Sequence, residues 1–240
     1  MRRPIMMTRP LLLFLFLGMG AVYSVVARKL TVMAALTGVA LALCIYAGAG
    51  FTGIGMMAFF FLAGSAATSW KLKWKQQQGL AENEKGTRTA MQVMANAGVP
   101  AIIGLIESLY TNPGLPVMMA AAFAAATADT LSSELGNVYG SRYYNILSFK
   151  RDQRGLNGVV SLEGTLCGLV GSILIAFIFA AAFEWNARVM VIIILAGTIG
   201  NITDSLLGAT LERKHWIGNN AVNFLNTVIA ALSVLVLKII

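Results

Sequence analysis

Residues 117 to 136 read VMMAAAFAAATADTLSSELG: ten apolar residues, then two carboxylates and four hydroxyls within ten more. The apolar part has the length and composition of a membrane helix, and its polar end continues the same helix. An Asp inside such a helix costs roughly 2.5–3.5 kcal/mol even on insertion scales lenient to charge. Asp129 and Glu134, flanked by Thr127, Thr130, Ser132 and Ser133, therefore need a reason to be there. Carboxylates among hydroxyls suit a hard cation.

The whole chain has the same character. Of its 240 residues, 58% are hydrophobic and 12% charged, against about 25% charged in soluble domains. Mean hydropathy is +0.74. Besides Val117–Leu135, apolar runs cover Leu11–Val26, Leu30–Ala47, Phe51–Ser69, Ala90–Leu109, Val160–Phe183, Val189–Leu211 and Asn220–Leu237. At about 20 residues per crossing, this predicts an all-α, polytopic transmembrane bundle of about eight spans, or seven if the first run is a cleaved leader. Residues 1–240 form one membrane-embedded domain, with no room for a soluble one. Cys44 and Cys167 lie in apolar runs and read as small buried hydrophobes. His215, the single histidine, lies in a charged loop.

Charge orients the bundle. Arg28 and Lys29, then Lys71, Lys73, Lys75, Lys85 and Arg88, then Arg142, Lys150, Arg151 and Arg154, then Arg213 and Lys214 fall in alternate loops. The loops between them carry one basic residue, Arg188. By the positive-inside rule the basic loops, including 70–88 and 137–160, are cytoplasmic. Arg2, Arg3 and Arg9 then lie outside, against the rule. The excess of 18 Lys and Arg over 10 Asp and Glu suits anionic lipid and phosphates.

With this orientation the buried polar groups share one depth. Asp129 sits roughly 10 Å inside the cytoplasmic end of its run at 1.5 Å per residue, and Asp204 is similarly placed. Arg88, Gln92 and Asn96 form one stripe at i, i+4, i+8. Asn201, Asp204 and Gly208 share a face with Ser205 beside them. Asn219, Asn223 and Asn226 open the last run, more asparagines than one cap requires. Ser161 opens the sixth. Lys150, Arg154 and Asn157 stand in a glycine-containing loop able to wrap phosphate. Each group has a plainer reading, as interhelical hydrogen bonding, an Asp–Arg pair or an ordinary basic loop. Together they make a cytoplasm-facing metal-and-phosphate site. Asp129, Glu134 and Asp204 are the candidate metal ligands, with Mg²⁺ or Mn²⁺ as the ion. Gln92, Asn96, Thr130, Ser133, Lys150, Arg154, Asn157, Ser161, Asn201, Ser205, Asn219 and Asn223 are the candidate phosphate or nucleotide ligands. Asp129, Asp204 and Arg88 are the catalytic candidates. Glu134, nearer the surface, has the alternative of pairing with Arg88 or the Lys150 loop. A-T-A-D-T-L and N-I-T-D-S-L resemble each other, but their helices run the same way, unlike an inverted transporter repeat.

The segments G-T-R-T-A-M-Q-V-M-A-N-A-G, A-T-A-D-T-L-S-S-E-L-G, R-G-L-N-G-V-V-S-L-E-G-T, G-N-I-T-D-S-L-L-G-A-T-L-E and N-N-A-V-N-F-L-N-T resemble, in order, the integral membrane family of domain of unknown function 92. That family includes plant phytyl-phosphate kinases. The resemblance runs from about Leu30 to the C-terminus. It implies a kinase that phosphorylates an isoprenoid monophosphate, such as phytyl phosphate, to the diphosphate. The implied donor is a nucleoside triphosphate, CTP favoured; dependence on magnesium is the expectation from the carboxylates and not from the resemblance. Its partners would be an isoprenoid phosphate lipid, the nucleotide and membrane lipid, not nucleic acid; a homodimer is left open. Lacking an obvious transit peptide, the chain is expected in a prokaryotic cytoplasmic (inner) membrane. The alternative is a transporter or flippase of a phosphorylated lipid or small anion, which would place polar groups through the whole bilayer.

Overall fold

A computed structural model describes residues 4–81, 86–183 and 185–239; Arg2, Arg3 and Lys85 lie outside them. The helices are α1 (Pro4–Val26), α2 (Val32–Ser69), α3 (Leu72–Gln77), α4 (Ala90–Leu109), α5 (Leu115–Tyr139), α6 (Leu162–Ala182), α7 (Ala187–Leu207) and α8 (Asn219–Leu237). A π-helical turn, Gly208–Glu212, extends α7. Among the described residues the only strands are β1 (Tyr144–Asn145) and β2 (Val159–Val160), an antiparallel pair closing the loop between α5 and α6. The fold is all-α.

Among the described residues six helices are long and apolar enough to cross a membrane: α2, α4, α5, α6, α7 with its π turn, and α8. The expected count of seven or eight is higher for two reasons. The first run, Leu11–Val26, is a shorter apolar stretch. The runs Leu30–Ala47 and Phe51–Ser69 are joined into α2 without a loop. Gly50, at φ 56° and ψ −146°, interrupts the helical dihedrals of α2, a conformation open mainly to glycine. There the chain doubles back. The Tyr46 and Phe51 rings meet edge-on at 5.2 Å, Ala42 packs with Ile54, and Lys29 Nζ donates to Ser69 Oγ at 2.5 Å. A straight helix of 38 residues would separate its ends by about 57 Å.

Helix α5 is the axis of the bundle, packed on α2, α4, α6, α7 and α8. Residues 119–126 are fully buried. A helix apolar all round belongs inside, and its alanines let neighbours come close. A Cβ on Gly197 would lie 2.7 Å from Ala124 Cβ, and one on Gly200 2.5 Å from Ala125 Cβ. The tightest crossing joins α2 to α4. A Cβ on Gly104 would sit 2.4 Å from the Cys44 carbonyl oxygen, and one on Gly48 2.5 Å from that of Gly104. Backbone cannot yield as a side chain does. Gly104→Ala should therefore lower stability by about 1–3 kcal/mol through overpacking. Gly55→Ala, whose Cβ would meet Ile178 Cγ2 at 3.7 Å, should be close to neutral. Thermal unfolding of the two variants in the same detergent checks the contrast.

The basic loops gather at one end, as charge predicts. The Arg88 amide donates to the Lys29 carbonyl at 2.9 Å, Arg213 pairs with Asp152, and Leu80 covers Gly155. Arg188 lies at the other end, where its guanidinium donates to the Lys238 carbonyl at 3.3 Å. The segments expected as loops are partly helical: 70–88 contains α3, and α5 runs on to Tyr139.

Candidate functional site

At the basic end the bundle opens into a cavity of about 1270 Å³ between α4, α5, α7 and α8, roofed by the α3–α4 and α5–α6 connections. Arg88, Gln92, Asn96, Asp129, Thr130, Ser133, Glu134, Asn157, Ser161, Asn201, Asp204, Ser205, Asn219 and Asn223 all line it. These are fourteen of the sixteen predicted residues. Because α5 and the π turn extend past the expected run ends, Asp129 is ten residues and Asp204 eight residues from the ends of their helices, or about 15 and 12 Å.

The deep wall is rich in acceptors. Asn226 is fully buried, and its Nδ2 donates to Asp204 Oδ1 at 2.9 Å, while Asn226 Oδ1 has no partner. Asn96 is 7% exposed. Its Nδ2 donates to the Gln92 carbonyl at 2.9 Å, which leaves Oδ1 buried without a donor. Pro100 lies one turn on in α4 and, lacking an N–H, cannot close the helical bond to the Asn96 carbonyl. Asn96, expected among the phosphate ligands, has its Nδ2 taken up by its own helix, and its Oδ1 is the group left without a partner. A buried acceptor without a donor costs about 1–3 kcal/mol and matches a cation or a protonated ligand atom. Among the described residues no three His, Cys, Asp or Glu side chains cluster as a metal site. A hard cation here would rest on one or two carboxylates, amide oxygens and the ligand's phosphates, the usual pattern for Mg²⁺.

Glu134 is claimed elsewhere. The ammonium of Lys75, a residue with no exposed surface, pairs with Glu134 Oε2 and donates to the carbonyls of Ala67 at 3.0 Å and Thr68 at 2.9 Å. The anticipated metal ligand thus balances a buried cation, and neither Arg88 nor the Lys150 loop is that partner. Lys75 looked like loop charge because nothing local in L-K-W-K-Q-Q marks which lysine turns inward.

Two predicted phosphate ligands are not brought to the cavity. The Arg154 guanidinium lies 5.0 Å over the Trp74 ring and 5.8 Å from that of Tyr143, cation–π contacts that join the roof loop to α3. Lys150 is exposed. Other predicted polar groups serve the scaffold. Ser161 caps α6 by accepting from the Gly164 amide at 3.1 Å, Gln92 Oε1 accepts from the Thr89 amide in a capping box, and Ser205 donates to the Asn201 carbonyl at 3.3 Å. Arg88 keeps its guanidinium 5.2 Å from the Phe60 ring, passing over Gly64, where a Cβ would stand 2.6 Å from Nη2. Helix α8 begins at Gly218, which supplies no side-chain cap, and Gly218, Asn219, Asn220 and Asn223 line the cavity.

The α5–α6 loop is pinned at the rim. Arg213 Nη2 donates to Asp152 Oδ2 at 2.7 Å and Nε to the Asn157 carbonyl at 2.7 Å. Gly158, at φ 75°, then fits against the π turn, where its Cβ would overlap the Ala209 backbone. π turns recur at functional sites. The Arg213 bond, then the Gln153 amide, hold the Asp152 carboxyl below its ordinary 3.8. A depressed carboxyl contributes stability that is complete above the unfolded pKa and fades as pH falls through the folded one. This clamp should therefore be constant from about pH 5 upward. Asp152→Asn should lower the unfolding midpoint above about pH 5 and converge with the parent in strong acid, as read from unfolding midpoints across an acid titration.

The sequence matches the integral membrane protein family DUF92 over residues 15–231. Protein VTE6, chloroplastic, of Arabidopsis thaliana is 32% identical over 190 residues, 75% of this chain and 56% of that protein. An uncharacterized membrane protein of Synechocystis is 31% identical over 80% of this chain and 76% of its own length. One of Methanocaldococcus jannaschii is 29% identical over 76% and 75%. The chain thus spans little more than half of the first of these relatives. No solved structure matches it significantly.

Proposed function

We propose, from the premise that this chain belongs to the DUF92 family of integral, multi-pass membrane proteins, that it is an isoprenoid-monophosphate kinase. It would transfer the terminal phosphoryl group of a nucleoside triphosphate, CTP favoured, to a phytyl or other prenyl phosphate, giving the diphosphate. The observation that carries this reading is that one cavity is lined by Asp129, Asp204, Arg88 and Asn96, the last with a buried amide oxygen that has no donor. Carboxylates and a guanidinium lining one cavity suit a cation–phosphate pair.

A bound Mg²⁺ or Mn²⁺ would neutralise charge developing on the transferred group. Asp129, Asp204 and Asn96 Oδ1 are the residues to hold it. The rest falls to the protein. Asn226 holds Asp204 in one rotamer through its amide. Arg88, anchored through its backbone to Lys29 and Thr31 and lying over Gly64 and the buried Phe60 ring, contributes a positive charge to the cavity lining. The α8 N-terminus offers N–H donors to an anion. The acceptor phosphate is already an anionic nucleophile, so positioning replaces a strong general base.

We further infer eight crossings. The arms of α2, eighteen residues before Gly50 and nineteen after it, are each about 27 Å or more long, and α1 supplies the eighth. The cavity then faces the side of the basic loops, the cytoplasm in a prokaryotic inner membrane.

Purified protein with Mg²⁺, CTP or ATP and a panel of phytyl, geranylgeranyl and farnesyl phosphates tests the activity. Formation of the diphosphate is the expected result. No turnover with any pair, together with flux of the phosphates in proteoliposomes, would replace the kinase by a transporter.

A further inference from the structure

The cavity continues past its polar wall. Along α4 it runs over Met94, Gly98, Ile102 and Leu105, with Phe224 of α8 alongside. Spaced four, four and three residues apart, the α4 residues fall on one helical stripe. Met94, Ile102 and Leu105 are about half exposed, so the stripe is an open gutter. Gly98 is its low point. A Cβ there would meet nothing nearer than Phe224 Cε2 at 3.7 Å, and no positive φ requires glycine. What glycine supplies is depth. From Met94 to Leu105 the stripe extends eleven residues, about 16 Å, roughly half of a 30 Å hydrocarbon core.

Size and charge point to an occupant. A cavity of about 1270 Å³ exceeds the roughly 300–1,000 Å³ of a typical small-molecule site, leaving room beyond one nucleotide. Its polar end carries Arg88 and amide side chains suited to a phosphate, and its apolar arm lies on the half-exposed stripe of α4, where a membrane helix meets lipid. A phosphate carried on a hydrocarbon chain would engage both ends at once.

We propose that this gutter between α4 and α8 binds the isoprenoid chain of the acceptor, which enters sideways from the bilayer while its phosphate reaches Arg88. The proposal rests on the kinase reading for the identity of the acceptor. A second apolar groove, lined by Leu17, Gly20, Gly38 and Met57 of α1 and α2, also touches Arg88 and Gln92. It is far smaller, about 190 Å³, and does not reach Asp129 or Asp204.

The test is photolabelling of the full-length protein in nanodiscs with a diazirine-tailed geranylgeranyl phosphate, followed by peptide mapping. Labels are expected on residues 94–105 and 221–228. Gly98→Phe, which fills the notch, should weaken labelling roughly tenfold or more, as loss of a fitted apolar pocket does, with the unfolding midpoint unchanged. Labels on residues 16–62 instead, labels indifferent to Gly98→Phe, competition by phosphatidate as strong as by prenyl phosphate, or no labelling would each overturn the gutter. If the gutter is labelled but no prenyl phosphate is phosphorylated, the binding site stands and the kinase reading falls. Turnover with labels elsewhere gives the reverse.

Discussion

Asp204→Asn is expected to lower kcat for nucleotide-dependent phosphorylation of prenyl phosphates on the order of 10²–10³-fold, the size seen when a preorganised electrostatic group is removed from a reacting centre. The fold should survive, because the new amide oxygen can accept from Asn226 Nδ2 as the carboxylate does at 2.9 Å. What disappears is negative charge at the one point where Asn226 fixes it. Asp129→Asn should act alike, since Asp129 lines the same cavity from α5. Steady-state kinetics at saturating Mg²⁺, with unfolding midpoints as control, decide the matter. Full activity in either variant removes that residue from the site.

The largest effect on stability is expected from Lys75→Met. It leaves Glu134 and the Ala67 and Thr68 carbonyls without their ammonium. Breaking a buried pair from one side costs about 3–5 kcal/mol. Adding Glu134→Gln should restore much of it, since the uncompensated charge is then gone. If Glu134 served chiefly as a metal ligand, Mg²⁺ would rescue Lys75→Met alone, and the second substitution would make matters worse. Unfolding midpoints of the single and double variants, with and without Mg²⁺, separate these outcomes.

Most of the cavity was legible in the chain, because burying charge in an apolar helix is costly enough to betray function. Asp129, Asp204, Asn96 and Asn223 stand out by depth alone, and the structure draws them to one cavity. Residues whose role depends on a distant contact were not legible. Lys75 became internal only when α3 folded against α2 and α5. Arg154 was drawn away by Trp74 and Tyr143, rings 80 and 11 positions earlier in the chain. Asn226 was visible in the asparagine row, yet its service to Asp204 depends on how α7 meets α8. The same limit applies to the fold. Apolar runs marked the arms of α2 correctly, but the absence of a loop at Gly50 depends on one dihedral pair that glycine permits and does not announce.

That turn bears on biogenesis. The arms of α2 are joined by a single residue, so they reach the insertion machinery as one unit. Arg28 and Lys29 stand at one foot, Lys71 and Lys73 at the other, and the tip, Tyr46-Ala-Gly-Ala-Gly-Phe51, is uncharged. Charges within 15–20 residues of a membrane segment govern which side it keeps. The hairpin would therefore carry its own address on both ends, and its four basic residues outnumber the three arginines at and before the start of α1. In the proposed eight-crossing topology, an already oriented hairpin would let the N-terminus cross against its charge.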